Sequence, residues 1–228
     1  GVSLYTMDEQ RFVLAQPNVV ITQELCQVCA VTPQHLDRAV AALPHAPAVV
    51  SLNPISLAQV LDDILTIGKA LGREQEASTL KADLRARLQT IRDLTAPLPA
   101  RPRVACLDWL DPLYCAGHWV PEMVALAGGR DALAQPDQPS RPVTWDQLEA
   151  ASPDVLVLMP CGFSVSRTAR EVQPLLPRFD WNALPAVRDR KVFAVDAASF
   201  FSRPGPRLVE GVAILAALLH PELAGGIS

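Results

Sequence analysis

From Ser56 to about Thr95 the apolar residues recur at helical spacing, and no other stretch restricts the possible folds so strongly. Leu57, Val60, Leu61, Ile64, Leu65, Ile67 and Leu71 form the first part of the stripe. Ala77, Leu80, Leu84, Leu88, Ile91 and Leu94 continue it, with Lys81, Arg85, Arg87 and Arg92 outside it. Asn53-Pro54 closes the segment before, and Ser56 is a candidate cap. Pro97 and Pro99 end the run, because proline has no amide hydrogen to donate. Gly72 marks a kink or a short break. At about 1.5 Å per residue, some forty helical residues span roughly 60 Å, which predicts a long rigid connector. A coiled-coil arm is the alternative; strand-rich sequence on both sides favours the connector.

Before that stretch, Asp8 to Ala15 and Pro33 to Leu43 read as helices, and Asn18 to Thr22 and Ala48 to Leu52 as strands. After it, Arg103 to Leu107, Asp154 to Met159 and Lys191 to Val195 read as strands. The predicted helices there are Val120 to Ala127, closed by Gly128-Gly129, Trp145 to Ala151 capped by Thr144, Arg167 to Leu176, and Pro206 to Leu219. This alternation indicates parallel α/β sheets. The expected layout is 1–54 as a partial α/β lobe, 55–97 as the connecting helix and 98–228 as a second α/β lobe.

Gln16-Pro17-Asn18-Val19-Val20-Ile21 resembles Ser152-Pro153-Asp154-Val155-Leu156-Val157, each behind a short amphipathic helix. The first strand leads to Cys26 and the second to Cys161. Open α/β sheets bind ligands beyond the carboxyl ends of their strands. Two such lobes facing each other would enclose a cleft with Cys26, Cys29 and Cys161 near its walls.

Half of the residues are hydrophobic, enough for a substantial core, yet runs such as Val155 to Met159 are far too short to span a bilayer. A net charge of −4 without a clustered basic face argues against nucleic acid as the partner. Gly1 to Gln10 has no basic segment followed by an apolar one, and there is no initiator Met; the natural protein is expected to be longer. Five cysteines leave at least one without an intramolecular disulfide partner, and thiols point to a reducing compartment.

Cys26 and Cys29 have the spacing at which two thiolates on one turn reach one metal or each other. His118 and Cys161 would complete a Cys3His set from three loops, and small buried loop cysteines are the plainer reading. Cys106 lies within a strand and reads as core; Cys115 fits either place. His118, after Gly117 and before a helix, is a candidate ligand contact or metal ligand, with a capping role as the alternative. Trp119, Phe200 and Phe201 suit a flat or bulky apolar ligand, with packing as the alternative for each; Trp109 is in the same position. Glu24, in the loop with Cys26, is a further candidate contact. No Gly-rich phosphate loop, Gly-x-Ser-x-Gly elbow or His-Glu-x-x-His motif is present, and a Ser164, Ser166 and His118 triad has nothing specific behind it.

Several motifs together resemble the class III substrate-binding proteins of ABC importers, which bind vitamin B12 and ferric siderophores. They are Asp111-Pro112-Leu113 with Gly117, Val124-Ala125-Leu126-Ala127-Gly128-Gly129, and Val143-Thr144-Trp145-Asp146-Gln147-Leu148 with Ser152-Pro153-Asp154-Val155. Phe200-Phe201-Ser202-Arg203-Pro204-Gly205-Pro206-Arg207 completes the set. The resemblance implies two Rossmann-like lobes bridged by a rigid helix, the first lobe lacking its leading strand and helix. It implies a non-enzymatic protein, a monomer, that holds cobalamin or a related metal chelate between the lobes, with no cofactor required. Phe200 and Phe201 would line the cleft, and Asp146, with Glu149 as a second acid, would dock on the importer's membrane subunits. The compartment implied is extracytoplasmic, against the cytoplasmic reading that thiols suggest. The Cys26–Cys29 loop and His118 depart from the B12 binders. A metal-ion or haem binder using the Cys/His cluster, or a cysteine-dependent enzyme on the same scaffold, is the alternative.

Overall fold

The computed structural model describes residues 7–23, 33–223 and 225–226. The chain divides into two compact units, Gly1–Pro54 with Leu61–Lys81, and Ile55–Val60 with Ala82–Ser228.

In the first unit α1 (Glu9–Ala15) is capped by the Asp8 carboxylate, which accepts from the Arg11 amide. β1 (Val19–Thr22), α2 (Pro33–Ala41) and β2 (Ala48–Ser51) follow, and among the described residues β1 pairs in parallel with β2 alone, Val19 opposite Ala48. The long helical stretch is two helices, α3 (Leu57–Ala70) and α4 (Glu74–Thr95), parted at Gly72 with φ 64°. The Gly72 and Arg73 amides donate back to the Lys69 and Gly68 carbonyls, a Schellman stop that needs the left-handed conformation glycine adopts without strain. Lys81 then pairs with Asp62, and a Cβ added at Gly68 would lie 2.3 Å from that of Ala77. In one continuous helix residues 62 and 81 would stand about 28 Å apart. The predicted rod is therefore a hairpin here: α4 turns back along the end of α3, and α4 alone, about 33 Å long, carries the chain into the second unit.

The second unit is built on a six-stranded sheet. Its elements are β3 (Arg103–Leu110), β4 (Leu113–Cys115), α5 (Val120–Leu126), β5 (Arg130–Asp131), β6 (Arg141–Pro142), α6 (Trp145–Ala151) and β7 (Val155–Leu158). α7 (Val165–Glu171), α8 (Pro185–Arg188), β8 (Val192–Ala194), α9 (Ala197–Phe200) and α10 (Leu208–Leu219) complete it, with 3-10 turns at Gln173–Arg178 and Trp181–Ala183. The strand order is β6-β4-β3-β7-β8, with β5 also on β3; β3, β5, β7 and β8 are parallel. Every residue of β7 is buried, as its unbroken apolar run requires of a parallel strand covered on both faces. On one face Ala105, Leu107, Leu156 and Leu158 pack with Leu148, Leu175 and Leu184. On the other, Val104, Val124 and Leu219 close around Gly129, and α10 lies against α5.

Two local predictions shift. The predicted helix over Arg167 to Leu176 is α7 followed by a 3-10 turn, because Pro174 cannot continue an α-helix. The strand predicted to end at Leu107 runs on: β3 continues through a register shift between Leu107 and Trp109, and turns at the cis Asp111-Pro112 bond into antiparallel β4.

Candidate ligand-binding site

The parallel strands β3, β7 and β8 bring their carboxyl ends to one edge of the sheet, the side on which open α/β sheets bind ligands. The loops there are hydrogen-bonded to one another. The Cys161 amide donates to the Asp108 carbonyl (2.9 Å), Ala198 to the Phe163 carbonyl (3.2 Å), and Gly162 to the Ser202 hydroxyl (3.1 Å). Gly162 has φ 76° there, which accounts for glycine at that turn.

An aromatic pair stands on this edge. Trp109 is 39 % exposed and meets Phe163 edge-on, ring centroids 5.4 Å apart. Its indole N–H donates to the Asp111 carbonyl (3.1 Å), which fixes the ring against the hairpin turn. Arg178 pairs with Asp111 at 2.6 Å and holds the turn from the other side. The Arg167 guanidinium lies 3.7 Å from the centroid of Phe163, a cation–π contact that leaves positive charge beside an apolar surface. Nothing in local periodicity marks this trio as a site. The available signal was position: Trp109 ends the apolar run of β3, and Phe163 follows the end of β7.

Asp108, the residue before Trp109, belongs to a partly buried polar chain. The Gly117 amide donates to the Ser140 hydroxyl (3.1 Å), so Ser140 gives its own hydrogen to the Asp108 carboxylate. Burial pushes Asp108 up to about 7 against the lowering effect of that bond. Gly117 is obligatory, since a Cβ there would lie 2.3 Å from the Ser140 nitrogen. The backbone of residues 138–140 makes this close approach.

Of the predicted contacts, Cys161 is exposed on this edge and Phe200 is half-buried at the end of α9. Trp119 and Phe201 lie inside the unit. The Trp119 indole donates to the Phe201 carbonyl (2.8 Å), and the Phe201 ring packs at Gly211 of α10. Their burial assigns them to packing, the alternative reading for both. His118 is half-buried with φ 54°, its ring centroid 5.6 Å from that of Trp119. Burial lowers its pKa and so favours the neutral imidazole. The hairpin carries the chain back until Ala116 is level with Cys106, so His118 starts from mid-strand rather than from the carboxyl edge. Cys106 and Cys115 are buried, and burial raises both thiols. Glu24, Cys26 and Cys29 lie outside the described residues, and among the described residues no three His, Cys, Asp or Glu side chains converge as a metal site would require. Ser164 caps α7 and bonds Ser166. Asp146 and Glu149 are exposed on α6, which opens with the predicted Thr144 cap as a full capping box with Gln147. Among the described residues no helix is long and apolar enough to cross a membrane.

Residues 12–198 match the model of the family described as periplasmic binding protein. The chain belongs to that family. The match extends over both compact units, and the fold is the class III form that the motifs resemble. The periplasmic haem-binding protein RhuT from Roseiflexus sp. RS-1, solved in apo form, superposes with a TM-score of 0.76. It is 26% identical, and the match covers 95% of this chain and 80% of RhuT. The periplasmic vitamin B12-binding protein BtuF of Vibrio cholerae gives a TM-score of 0.70 at 20% identity, covering 94% of this chain and 78% of BtuF, and shows the shared fold. The substrate-binding lipoprotein YvrC of a Bacillus subtilis (strain 168) ABC transporter is 25% identical over 172 residues, 73% of this chain and 52% of the lipoprotein. The matched region is about half of that relative's length.

Proposed function

We propose that this chain is the substrate-binding component of an ABC importer, working outside the cytoplasm, and that it holds a bulky metal chelate of the cobalamin, haem or siderophore type. The observation that carries this reading is the exposed Trp109 set edge-on against Phe163 at the carboxyl ends of β3 and β7. A large ring buried in a core costs nothing to explain, but an indole held 39 % exposed by its own hydrogen bond offers a ready apolar contact. The haem-binding relative and the lipoprotein relative support the ligand class and the compartment. Phe200 and Cys161 border the same surface. His118 is a more distant contact, available in its neutral form. Asp146 and Glu149, on a helix whose first turn is fully capped, are the acids offered to the importer's membrane subunits.

Isothermal titration with cyanocobalamin, haemin and a ferric trihydroxamate tests this, alongside a metal assay of the purified protein. Saturable one-to-one binding of any of the three is the expected result. Binding of none, with zinc or iron retained by the protein, would transfer the function to the Cys26, Cys29, Cys161 and His118 set.

A further inference from the structure

Beyond β8 the chain passes through α9 into a loop that walls an open basin of about 600 Å³, lined by Ala198, Ser199, Arg203, Gly205, Pro206 and Arg207. Its only charged lining is two exposed guanidiniums, and neither has a hydrogen-bonding or ionic partner among the described residues. Other arginines of the unit, Arg170 and Arg190 among them, also lack a partner among the described residues; what sets Arg203 and Arg207 apart is that both line one basin. The nearest acids in sequence are engaged elsewhere, Asp196 by the amide and hydroxyl of Ser199 and Glu210 by Arg87. α10 begins directly after Arg207 with no side-chain cap, so the positive end of its dipole adds to the same charge.

The basin and the aromatic pair form one surface. Ala198, in the basin wall, donates its amide to the Phe163 carbonyl, and Ser202, between the walls, accepts from Gly162. We infer that the ligand is an anionic chelate: an apolar face covers the exposed Trp109, which rests on the buried Phe163, while a carboxylate or comparable anionic arm enters the Arg203–Arg207 basin. This rests on the chelate-binding reading and narrows it, since a guanidinium pair without an internal partner favours ligands that bring the missing charge. A neutral chelate would leave both arginines unused.

Haemin and its dimethyl ester separate charge from shape, because esterification removes two negative charges and keeps the ring and the iron. Titrations of both, with cyanocobalamin and a ferric trihydroxamate beside them, are run on the parent chain and on the Arg203→Gln/Arg207→Gln double variant. Arg170→Gln removes the same kind of charge from the exposed last turn of α7 and serves as control. Near-ultraviolet circular dichroism verifies that each variant is folded. Haemin is expected to bind about tenfold or more tightly than its ester, and the double variant to lose that difference while the control keeps it. Equal affinity for haemin and ester, unaltered in the double variant, overturns the anionic subsite and leaves chelate binding standing. Tight binding of the neutral chelates with none of haemin also overturns it. If no chelate binds, the chelate-binding reading fails and the subsite falls with it.

Discussion

The two units use parallel strands in opposite circumstances. In the second unit β7 is buried along its whole length between two helical layers. In the first, among the described residues, β1 and β2 pair only with each other, and Ile21 and Val49 are each 48 % exposed. Between residues 35 and 53 and in 7–23, Ala39 is the sole buried hydrophobic residue among those described. Parallel pairing is ordinarily stable only under cover on both faces. The second unit thus owns a core that explains its fold, whereas the clearest stabilising contacts of the first lie in the α3–α4 hairpin.

The largest expected effect tests that contrast directly. Leu156→Ala empties a fully buried site in the middle of the sheet and should cost about 2–5 kcal/mol. Ile21→Ala removes a half-exposed side chain and should cost less than about 1 kcal/mol. All four tryptophans, Trp109, Trp119, Trp145 and Trp181, belong to the second unit, so in urea unfolding tryptophan emission reads Leu156→Ala, and far-ultraviolet circular dichroism, which also sees the first unit, reads Ile21→Ala. Equal shifts of the midpoint by the two variants would dissolve the distinction.

Electrostatics sharpen the same picture, because two carboxyls are largely withdrawn from water inside the second unit. Asp108 is pushed up to about 7 and Asp131 to about 6, both chiefly by burial. An acid whose folded pKa lies above its unfolded value binds more protons when folded. Stability is then greatest below the unfolded value, near 4, and falls as pH rises to the folded one. The second unit should therefore lose about 2 kcal/mol or more between pH 4.5 and pH 7.5. Asp108→Asn keeps an acceptor for Ser140 and should remove the larger part of that slope, leaving the share of Asp131. Urea midpoints across that pH range decide it; a slope untouched by the substitution would place the titration elsewhere.

The elements legible from the sequence were those governed by local pattern. The runs of β3, β7 and β8, the Thr144 capping box and the terminal helix all follow from spacing within a few residues of one another. What was not legible depends on contacts far apart in the chain. The apolar stripe of residues 57–94 continues through Gly72, so periodicity cannot tell a rod from a hairpin; Asp62 meeting Lys81 does. The pairing of Trp109 with Phe163 and the layering of Phe201 against Gly211 are likewise products of the sheet and its helices. Three strand residues after the turn are too few to signal β4, so the hairpin that sets His118 back along β3 is not visible in the sequence.

That displacement yields a binding comparison within the second unit. Trp109→Ala strips the exposed member of the aromatic pair and should weaken chelate binding about tenfold, the loss of one good aromatic contact. His118→Ala, further from the edge, should change it less than about threefold. Titration of the two variants with the tightest-binding chelate distinguishes them. The reverse order would restore the imidazole as the principal contact and would point to coordination of the metal.

The smallest effect belongs to the hairpin of the first unit. Lys81 is largely covered, while Asp62 is 62 % exposed, so solvent screens the pair and little energy separates it from its hydrated halves. Asp62→Asn should therefore cost less than about 1 kcal/mol. Gly68→Leu is the sharper test of the hairpin, because its side chain must enter the space held by Ala77 in the turn before the Schellman stop. If α3 and α4 pack as a hairpin, Gly68→Leu destabilises by about 1–3 kcal/mol and Asp62→Asn barely registers. If the stretch were a single exposed rod, the glycine replacement would instead stabilise it through helix propensity. Urea unfolding followed by far-ultraviolet circular dichroism, which sees α3 and α4, gives the sign, and the sign alone separates the two architectures.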